Sequence, residues 1–407
     1  MTKNVLFTLG RLPKGLDLAR SFKRLGWRVH VAEPSRDHLA RASNHVDRVH
    51  HVPAPATEPE AYLDALAQLI AREKIDLVVP VSEEIMFVSL LRLRDDVSCP
   101  VLSMPDTMIH RAHDKLNFTI LARGLDLAVP ETARGTTNAA KRIAETGPFI
   151  VKPRHSCAGH GVHVFDERET FEAGTHDLVQ RRIIGQELST CSLAKDGRVI
   201  ATSIYKGTLM SGSVAVGFER IDHPRIDKWV RRFIEGTRWT GFVSFDFLED
   251  EQGTPYAIEC NPRTTSGLHF FNLDDIASAI LGERETIRFR RETKLIQFWS
   301  CMEEFQKSFG DGARFQTVLA HLLRVRDVTW RWDDPLPLLT MPWTARGIIA
   351  AARRDKVPFG IAATRDLVWT EGALTAHDLG LEDEMIQMRA MSTPTMRGGR
   401  RGGVIDP

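Results

Sequence analysis

Over residues 1–110 the apolar positions alternate between short continuous runs and segments of helical period. Val5, Leu6, Phe7 and Leu9 form a run that ends at Gly10. Leu18, Phe22 and Leu25 then recur at spacings of four and three, which marks one face of a helix. A second run follows at residues 28–32, a second helical face at Tyr62, Leu66, Leu69 and Ile70, and a third run at residues 76–81. Residues 99–103 read as one more strand. Apolar strands separated by amphipathic helices predict a small, doubly wound parallel α/β sheet. Near Pro105 the pattern changes. Asp106 is placed to cap one helix running through Ile109, Leu116 and Leu121, closed by Gly124. Residues 148–270 are rich in β-branched and aromatic residues between glycine loops, which predicts strands and an α+β core. Helical spacing returns from Asp275, through Val318, Leu319, Leu322 and Leu323, to residues 345–354.

These changes divide the 407 residues into an α/β domain (1–110), a strand-rich core (111–285), a mixed, mainly helical extension (286–390) and a Gly/Arg tail (391–407). The 54 Lys and Arg balance the 53 Asp and Glu, so no global charge recruits nucleic acid or an acidic membrane. No apolar run reaches the roughly 20 residues a membrane helix needs, and the first residues lack a signal peptide's apolar stretch. The tail arginines could touch RNA, although a solvated tail is the plainer reading. Five cysteines without a Cys-x-x-Cys pair argue against a disulfide framework or zinc ribbon. The expectation is a soluble cytoplasmic protein acting on small molecules, without nucleic-acid or membrane partners.

Four segments invite chemistry. The loop from Gly10 to Gly15 follows the first strand but lacks the glycine spacing of a dinucleotide site, so a structural or substrate-side role is favoured there, Glu33 notwithstanding. In the second, an apolar strand delivers Lys152, and a small-residue loop with Ser156, Gly159 and Gly161 leads to the next strand. A lysine fixed on a strand beside backbone amides suits phosphate; a hairpin with an exposed lysine is the structural alternative. Third, residues 241–248 and 256–263 read as two strands joined by a turn at 251–254. Antiparallel pairing would bring Asp246, Ser244, Glu259 and Asn261 onto one face, a hard-oxygen set suited to magnesium, or else a solvated polar face. Fourth, residues 178–189 join two strands through a bend, where backbone groups could receive adenine and Glu187 a ribose; taken alone, a surface strand with salt-bridging arginines is the plainer reading.

In this order the segments resemble the ATP-grasp superfamily, most closely its carboxylate–amine ligases and carbamoyl-phosphate-synthase-like members. The resemblance rests on His113-Asp114-Lys115, on Val151-Lys152-Pro153 with the loop to Gly161, on Gln180 to Glu187, on Asp246, and on Glu259-Cys260-Asn261-Pro262-Arg263, the most specific string. It covers roughly residues 1–285, and makes 1–110 a pre-ATP-grasp domain and 111–285 a two-lobed ATP-grasp domain. The resemblance implies that Lys115 and Lys152 hold the phosphates of ATP under the loop containing Ser156, Gly159 and Gly161. Gln180, Arg181 and Ile183 would surround the adenine and Glu187 the ribose. Asp246, Glu259 and Asn261 would ligate Mg²⁺, with Mn²⁺ as a substitute, and Arg263 and Lys152 would serve phosphoryl transfer. The implied reaction activates a small carboxylate as an acylphosphate and joins it to an amine, releasing ADP and phosphate. A nucleotide-binding regulatory module without turnover is the alternative, and relatives of this kind are often homodimers.

Some features depart from the pattern. Asp246 stands where relatives often have Glu or Gln, and His155 and Cys157 make the loop less glycine-rich. The 211–218 loop, residues 264–267 and residues 82–84 are the places where substrate choice would sit, and Lys206 could face substrate, the γ-phosphate or only solvent. The extension carries Trp299, Trp330, Trp332, Trp343 and Trp369, which could shape an acceptor pocket or a dimer interface; core packing is the plainer reading.

Overall fold

The computed structural model describes residues 2–155, 161–166, 171–212, 214–357 and 359–369. Ser156, Cys157, Gly159 and the 391–407 tail lie outside the described residues. Among the described residues, no helix is long and apolar enough to cross a membrane.

The described residues form three sheets. The first holds β1 (Asn4–Phe7), β2 (Arg28–Glu33), β3 (Arg48–His51) and β4 (Leu77–Val79) in the parallel order β3-β2-β1-β4. Val5, Phe7, Val29, Val31 and Val79 are buried in its core, as a parallel sheet covered on both faces requires. Helices α1 (Pro13–Arg24) and α2 (Pro59–Glu73) bury Leu18, Phe22, Tyr62, Leu66, Leu69 and Ile70 as expected, but α1 ends one residue before Leu25, which is exposed. Two details differ from expectation. Residues 99–103 form no strand, only a bridge between Val78 and Val101, and β3 replaces them at the other edge of the sheet. β3 escapes a reading by hydrophobic pattern because Arg48, Val49 and His51 are exposed.

After the one-turn α3 (Ile85–Val88), the single helix expected from Asp106 proves to be two, α4 (Asp106–His113) and α5 (Lys115–Gly124). Asp106 lies in the first turn of α4, and Asp114 is the residue that caps. Its backbone leaves helical geometry (ψ 112°), and its Oδ1 accepts the amides of Leu116 at 2.9 Å and Asn117 at 3.0 Å.

The second sheet holds β5 (Thr132–Arg134), β6 (Phe149–Pro153), β7 (His163–Phe165) and β8 (Asp177–Arg181) in the antiparallel order β5-β8-β6-β7, with α6 (Asn138–Glu145) packed on it. The third holds β9 (Gln186–Lys195), β10 (Arg198–Ser211), β11 (Val214–Ile221), β12 (Gly241–Glu249), β13 (Pro255–Asn261), β14 (Lys294–Ile296) and β15 (Arg326–Asp327), in the order β13-β12-β9-β10-β11-β14-β15. Trp229 and Phe233 of α7 (Pro224–Thr237) pack edge to face against Phe245 of β12 at centroid distances of 5.0 and 4.9 Å, which anchors the strand carrying Asp246.

A four-residue linker joins the second sheet to the third, and Gly185 ends it. A Cβ at Gly185 would lie 1.7 Å from the Glu249 carbonyl oxygen, so no larger residue fits this crossing. Beyond α8 (Leu273–Leu281), the extension continues with α9 (Phe298–Lys307), α10 (Gly312–Arg324) and the helix Arg346–Asp355. Its tryptophans divide: Trp369 is buried, Trp299 is partly exposed, and Trp332 and Trp343 stand 86% and 67% exposed, so the last two are not core residues.

Candidate active site

The β12–β13 hairpin places the acidic residues. Gly253 takes φ +73° in the turn, and Asp250 Oδ1 accepts the amides of Gln252 and Thr254. The resulting register pairs Ser244 with Asn261 and Asp246 with Glu259. Asn261 Nδ2 donates to Asp246 Oδ2 at 2.9 Å, and Ser189 on the neighbouring β9 donates to Asp246 Oδ1 at 2.7 Å. Burial and the Glu259 carboxylate opposite push the Asp246 carboxyl up to about 7.

The register then slips: Phe247 faces Ala257, so Ile258 is the extra residue of a bulge. The Ile258 carbonyl accepts from Lys152 Nζ at 3.2 Å, and Gln180 Oε1 accepts from the same nitrogen at 2.9 Å. Gln180 in turn donates to Thr132 Oγ1. Lys152 is buried, unlike the exposed lysine of a simple hairpin. Burial, with the Lys115 charge nearby, lowers its ammonium to about 7. Lys115, the first residue of α5, lies 3.4 Å from Glu259 Oε2. Asp114, which caps that helix, also accepts Arg154 Nε at 2.7 Å, tying the base of the small-residue loop to the helix bearing Lys115. At the far end of the loop Gly161 has φ +75°, and a Cβ there would meet Pro153 at 2.8 Å, so glycine is required beside the strand of Lys152.

A cavity of about 860 Å³ collects these groups. Lys115, Lys152, Gln180, Arg181, Ile183 and Glu187 line it, and so do Asp246, Glu259, Asn261 and Arg263. The Arg181 amide is taken by the Glu131 carbonyl and that of Arg182 by Pro148, whereas the Ile183 amide has no backbone partner among the described residues. Of the two linker residues that line the cavity, Arg182 and Ile183, it is Ile183 whose amide is suited to an adenine edge. Partial burial, followed by the Glu259 charge, raises the Glu187 carboxyl. Glu33 is not placed to bind ribose: it is fully buried in an ion pair with Arg11 and accepts the Gly10 amide.

The α/β domain adds Glu83 and Lys14, from two segments that the sequence placed only loosely on the substrate side. Glu83 pairs with Arg263, whose Nη2 also donates to Asn261 Oδ1 at 2.9 Å. Burial alone would raise the Glu83 carboxyl, but the Arg263 guanidinium and His113 bring it down to about 2. Lys14 Nζ donates to the Thr264 carbonyl at 2.7 Å and to Ser82 Oγ at 3.2 Å; burial and Arg263 lower it to about 7. A lysine in the first turn of a helix, opposed by the helix dipole, was the available signal. Lys206 also lines the cavity, 3.5 Å from Glu219. The extension supplies Phe298, Trp299, Met341 and Ile348, a largely apolar wall.

Cations and acids thus face one another across one pocket. The charged forms of Lys152 and Asp246 are both disfavoured by burial, and a phosphate beside the first and a divalent cation beside the second would relieve both. No group of three or more His, Cys, Asp or Glu able to hold a metal occurs among the described residues. An ion here would therefore take Asp246, Glu259 and Asn261 together with nucleotide oxygens, which is the usual binding mode of magnesium.

Residues 112–267 match the family model described as the ATP-grasp domain. No curated protein matches the chain by sequence. Solved structures with the same fold include N5-carboxyaminoimidazole synthetase from Staphylococcus aureus (16% identity, 77% of this chain and 89% of that one, TM-score 0.59). The biotin carboxylase domain of 2-oxoglutarate carboxylase from Hydrogenobacter thermophilus is also similar (16%, 71% and 73%, TM-score 0.57). So is the L-amino acid ligase of Bacillus licheniformis (18%, 71% and 75%, TM-score 0.54). Residues 112–267 carry an ATP-grasp domain, and the chain shares the fold of these solved structures.

Proposed function

We propose that the protein is an ADP-forming ligase that activates a small carboxylate with ATP and joins it to an amine. The observation that carries this reading is the single cavity in which Lys115 and Lys152 face Asp246, Glu259 and Asn261, with Arg263 beside them. Lys115 and Lys152 would neutralise the triphosphate, the Ile183 amide would meet adenine, and Glu187 the ribose. Ser156, Gly159 and Gly161 belong to the loop assigned to covering the phosphates, and Gln180 and Arg181 to the nucleotide pocket. Asp246, Glu259 and Asn261 would hold Mg²⁺, or Mn²⁺ in its place, and the ion would supply charge neutralisation at the phosphates. Arg263 is positioned to steady the phosphoryl group in transit. A carboxylate is a poor electrophile; phosphorylating it creates a leaving group that an amine can displace, and charge stabilisation around the phosphoryl oxygens is what such a transfer needs. One neighbour of the same fold was solved with magnesium ADP and bicarbonate, and another is named an L-amino acid ligase, which supports the same chemistry.

In this reading residues 1–110 and the extension 286–390 flank a nucleotide-binding core at 111–285, and the enzyme is a cytoplasmic protein acting on small molecules. The test is ADP release with ATP and magnesium over a panel of amino acids and short-chain acids, with hydroxylamine trapping any acylphosphate as a hydroxamate. Acid-dependent ADP and hydroxamate are expected. Tight nucleotide binding with neither product across the panel would instead identify a regulatory module.

A further inference from the structure

Besides the residues assigned above, the cavity is lined by His269, which lies in the 3-10 turn Ser266–Phe270 following Arg263. The turn is fixed against the large sheet. A Cβ at Gly267 would lie 2.5 Å from Ser203 Oγ and 2.7 Å from Cys191 Cβ, and Ser203 Oγ donates to the Gly267 carbonyl at 2.8 Å. The imidazole Nδ1 lies 2.7 Å from Asp17 Oδ2 on α1. Asp17 is wholly buried and is also met by Arg290 Nη2 at 3.1 Å, with Arg20 Nη1 at 3.8 Å. Burial opposes its ionisation, yet Arg290 and His269 hold the carboxyl down at about 2.

Arg290 already pairs with Asp17, while Arg20 is held mainly by Asp334 at 2.9 Å, so a charged His269 is not needed to neutralise Asp17. What the ionised carboxylate does is fix the ring: a neutral imidazole facing it carries its proton on Nδ1 and its lone pair on Nε2. Nε2 has no hydrogen-bond partner among the described residues, while the ring lines the cavity. The charged groups around the ring are Asp17 and Arg20 on α1, Arg290 before β14, and Asp327 on β15, whose carboxyl is influenced by His269.

We infer that His269, oriented by Asp17, is the general base that deprotonates the amine before it attacks the acylphosphate. The inference rests on the ligase reading above. The amine enters as an ammonium and gives one proton to His269 Nε2, and the resulting imidazolium is stabilised by Asp17. The nitrogen lone pair forms the C–N bond, the C–O bond to phosphate breaks, and phosphate departs with that electron pair. It leaves as hydrogen phosphate, carrying the second amine proton, and His269 returns its proton to water.

The test compares wild type with His269→Gln, using ATP, magnesium and a panel of amino acids and short-chain acids. One series contains hydroxylamine, a nucleophile uncharged at neutral pH that needs no base; the other contains ammonia and the α-amino acids as amines. The expected result for His269→Gln is hydroxamate within about threefold of wild type. Amide formation should fall roughly 100-fold or more at pH 7, with a deficit that shrinks as rising pH deprotonates the amine in solution. Parallel loss of both products, or loss of neither, would overturn the assignment while leaving the ligase reading in place. No hydroxamate from wild type with any acid would overturn the ligase reading and this inference with it.

Discussion

Lys152 and Ile258 belong to different sheets, yet the Lys152 ammonium donates to the Ile258 carbonyl at 3.2 Å. A bulge in β13 makes that contact, since Ile258 is the residue the ladder leaves over between the Asp246–Glu259 and Phe247–Ala257 pairs. The irregularity beside the two acids thus also holds the phosphate lysine.

A buried ammonium at its own expense is a functional feature, so stability and activity should separate at this position. Lys152→Met keeps the hydrocarbon body and removes a charge that burial disfavours. Its melting temperature should equal or exceed that of wild type, while acid-dependent ADP release falls about 100-fold or more. Thermal melts and a coupled ADP assay check both. A large loss of stability with activity retained would place Lys152 in the framework rather than at the phosphates.

Asp246 gives a pH dependence of defined sign. Its folded-state carboxyl is raised to about 7, first by burial and then by Glu259. The protonated form therefore stabilises the fold below the ordinary carboxylate range, and that contribution is lost as pH rises toward 7. A divalent cation needs the ionised form, so its effect runs the other way. The rise in melting temperature that magnesium adds in the presence of ADP should grow between pH 5 and 8. Asp246→Asn should flatten that growth, and Glu259→Gln should weaken the magnesium effect throughout. A magnesium effect independent of pH would remove Asp246 from the metal site.

Arg263 Nη2 reaches both Glu83 in the α/β domain and Asn261 in the hairpin. Lysine carries the charge but not the planar fork, so Arg263→Lys should lower kcat by roughly 10- to 100-fold with a smaller change in ATP affinity. Steady-state kinetics with the acid that gives the most hydroxamate would show this; wild-type kcat would mean that point charge alone suffices.

Gly185 is required by contact rather than by backbone angle. Gly185→Ala would set a methyl against the Glu249 carbonyl, at the 1.7 Å given by the glycine backbone, and one of the two sheets must then shift. A melting temperature lower by roughly 5 °C or more is expected, with weaker nucleotide binding. An unchanged melt would show that the linker moves freely.

What could be read in advance depended on sequence distance. The Asp246–Glu259 pairing was legible because one tight turn and a two-residue period decide it. Lys152 was legible as a strand lysine, but its burial was not, because Gln180, Thr132 and Ile258 come from other strands. The break at Asp114 was hidden because the apolar spacing from Ile109 to Leu116 runs on in helical phase, and capping by a side chain leaves no periodic mark. Glu83, Lys14 and the Asp17–His269 contact join residues roughly 180 to 250 positions apart, which no local pattern encodes. Trp332 and Trp343 misled because aromatic content does not say which residues of a turn or short helix face solvent.

The central claim is that the terminal phosphoryl group of ATP passes to a carboxylate oxygen. The most direct measurement supplies the acid giving the most hydroxamate, labelled with ¹⁸O in its carboxylate, together with ATP, magnesium and an amine, and analyses the released phosphate by mass spectrometry. The account predicts one ¹⁸O atom in each phosphate formed alongside ADP. Unlabelled phosphate, or release of AMP and pyrophosphate, would contradict it.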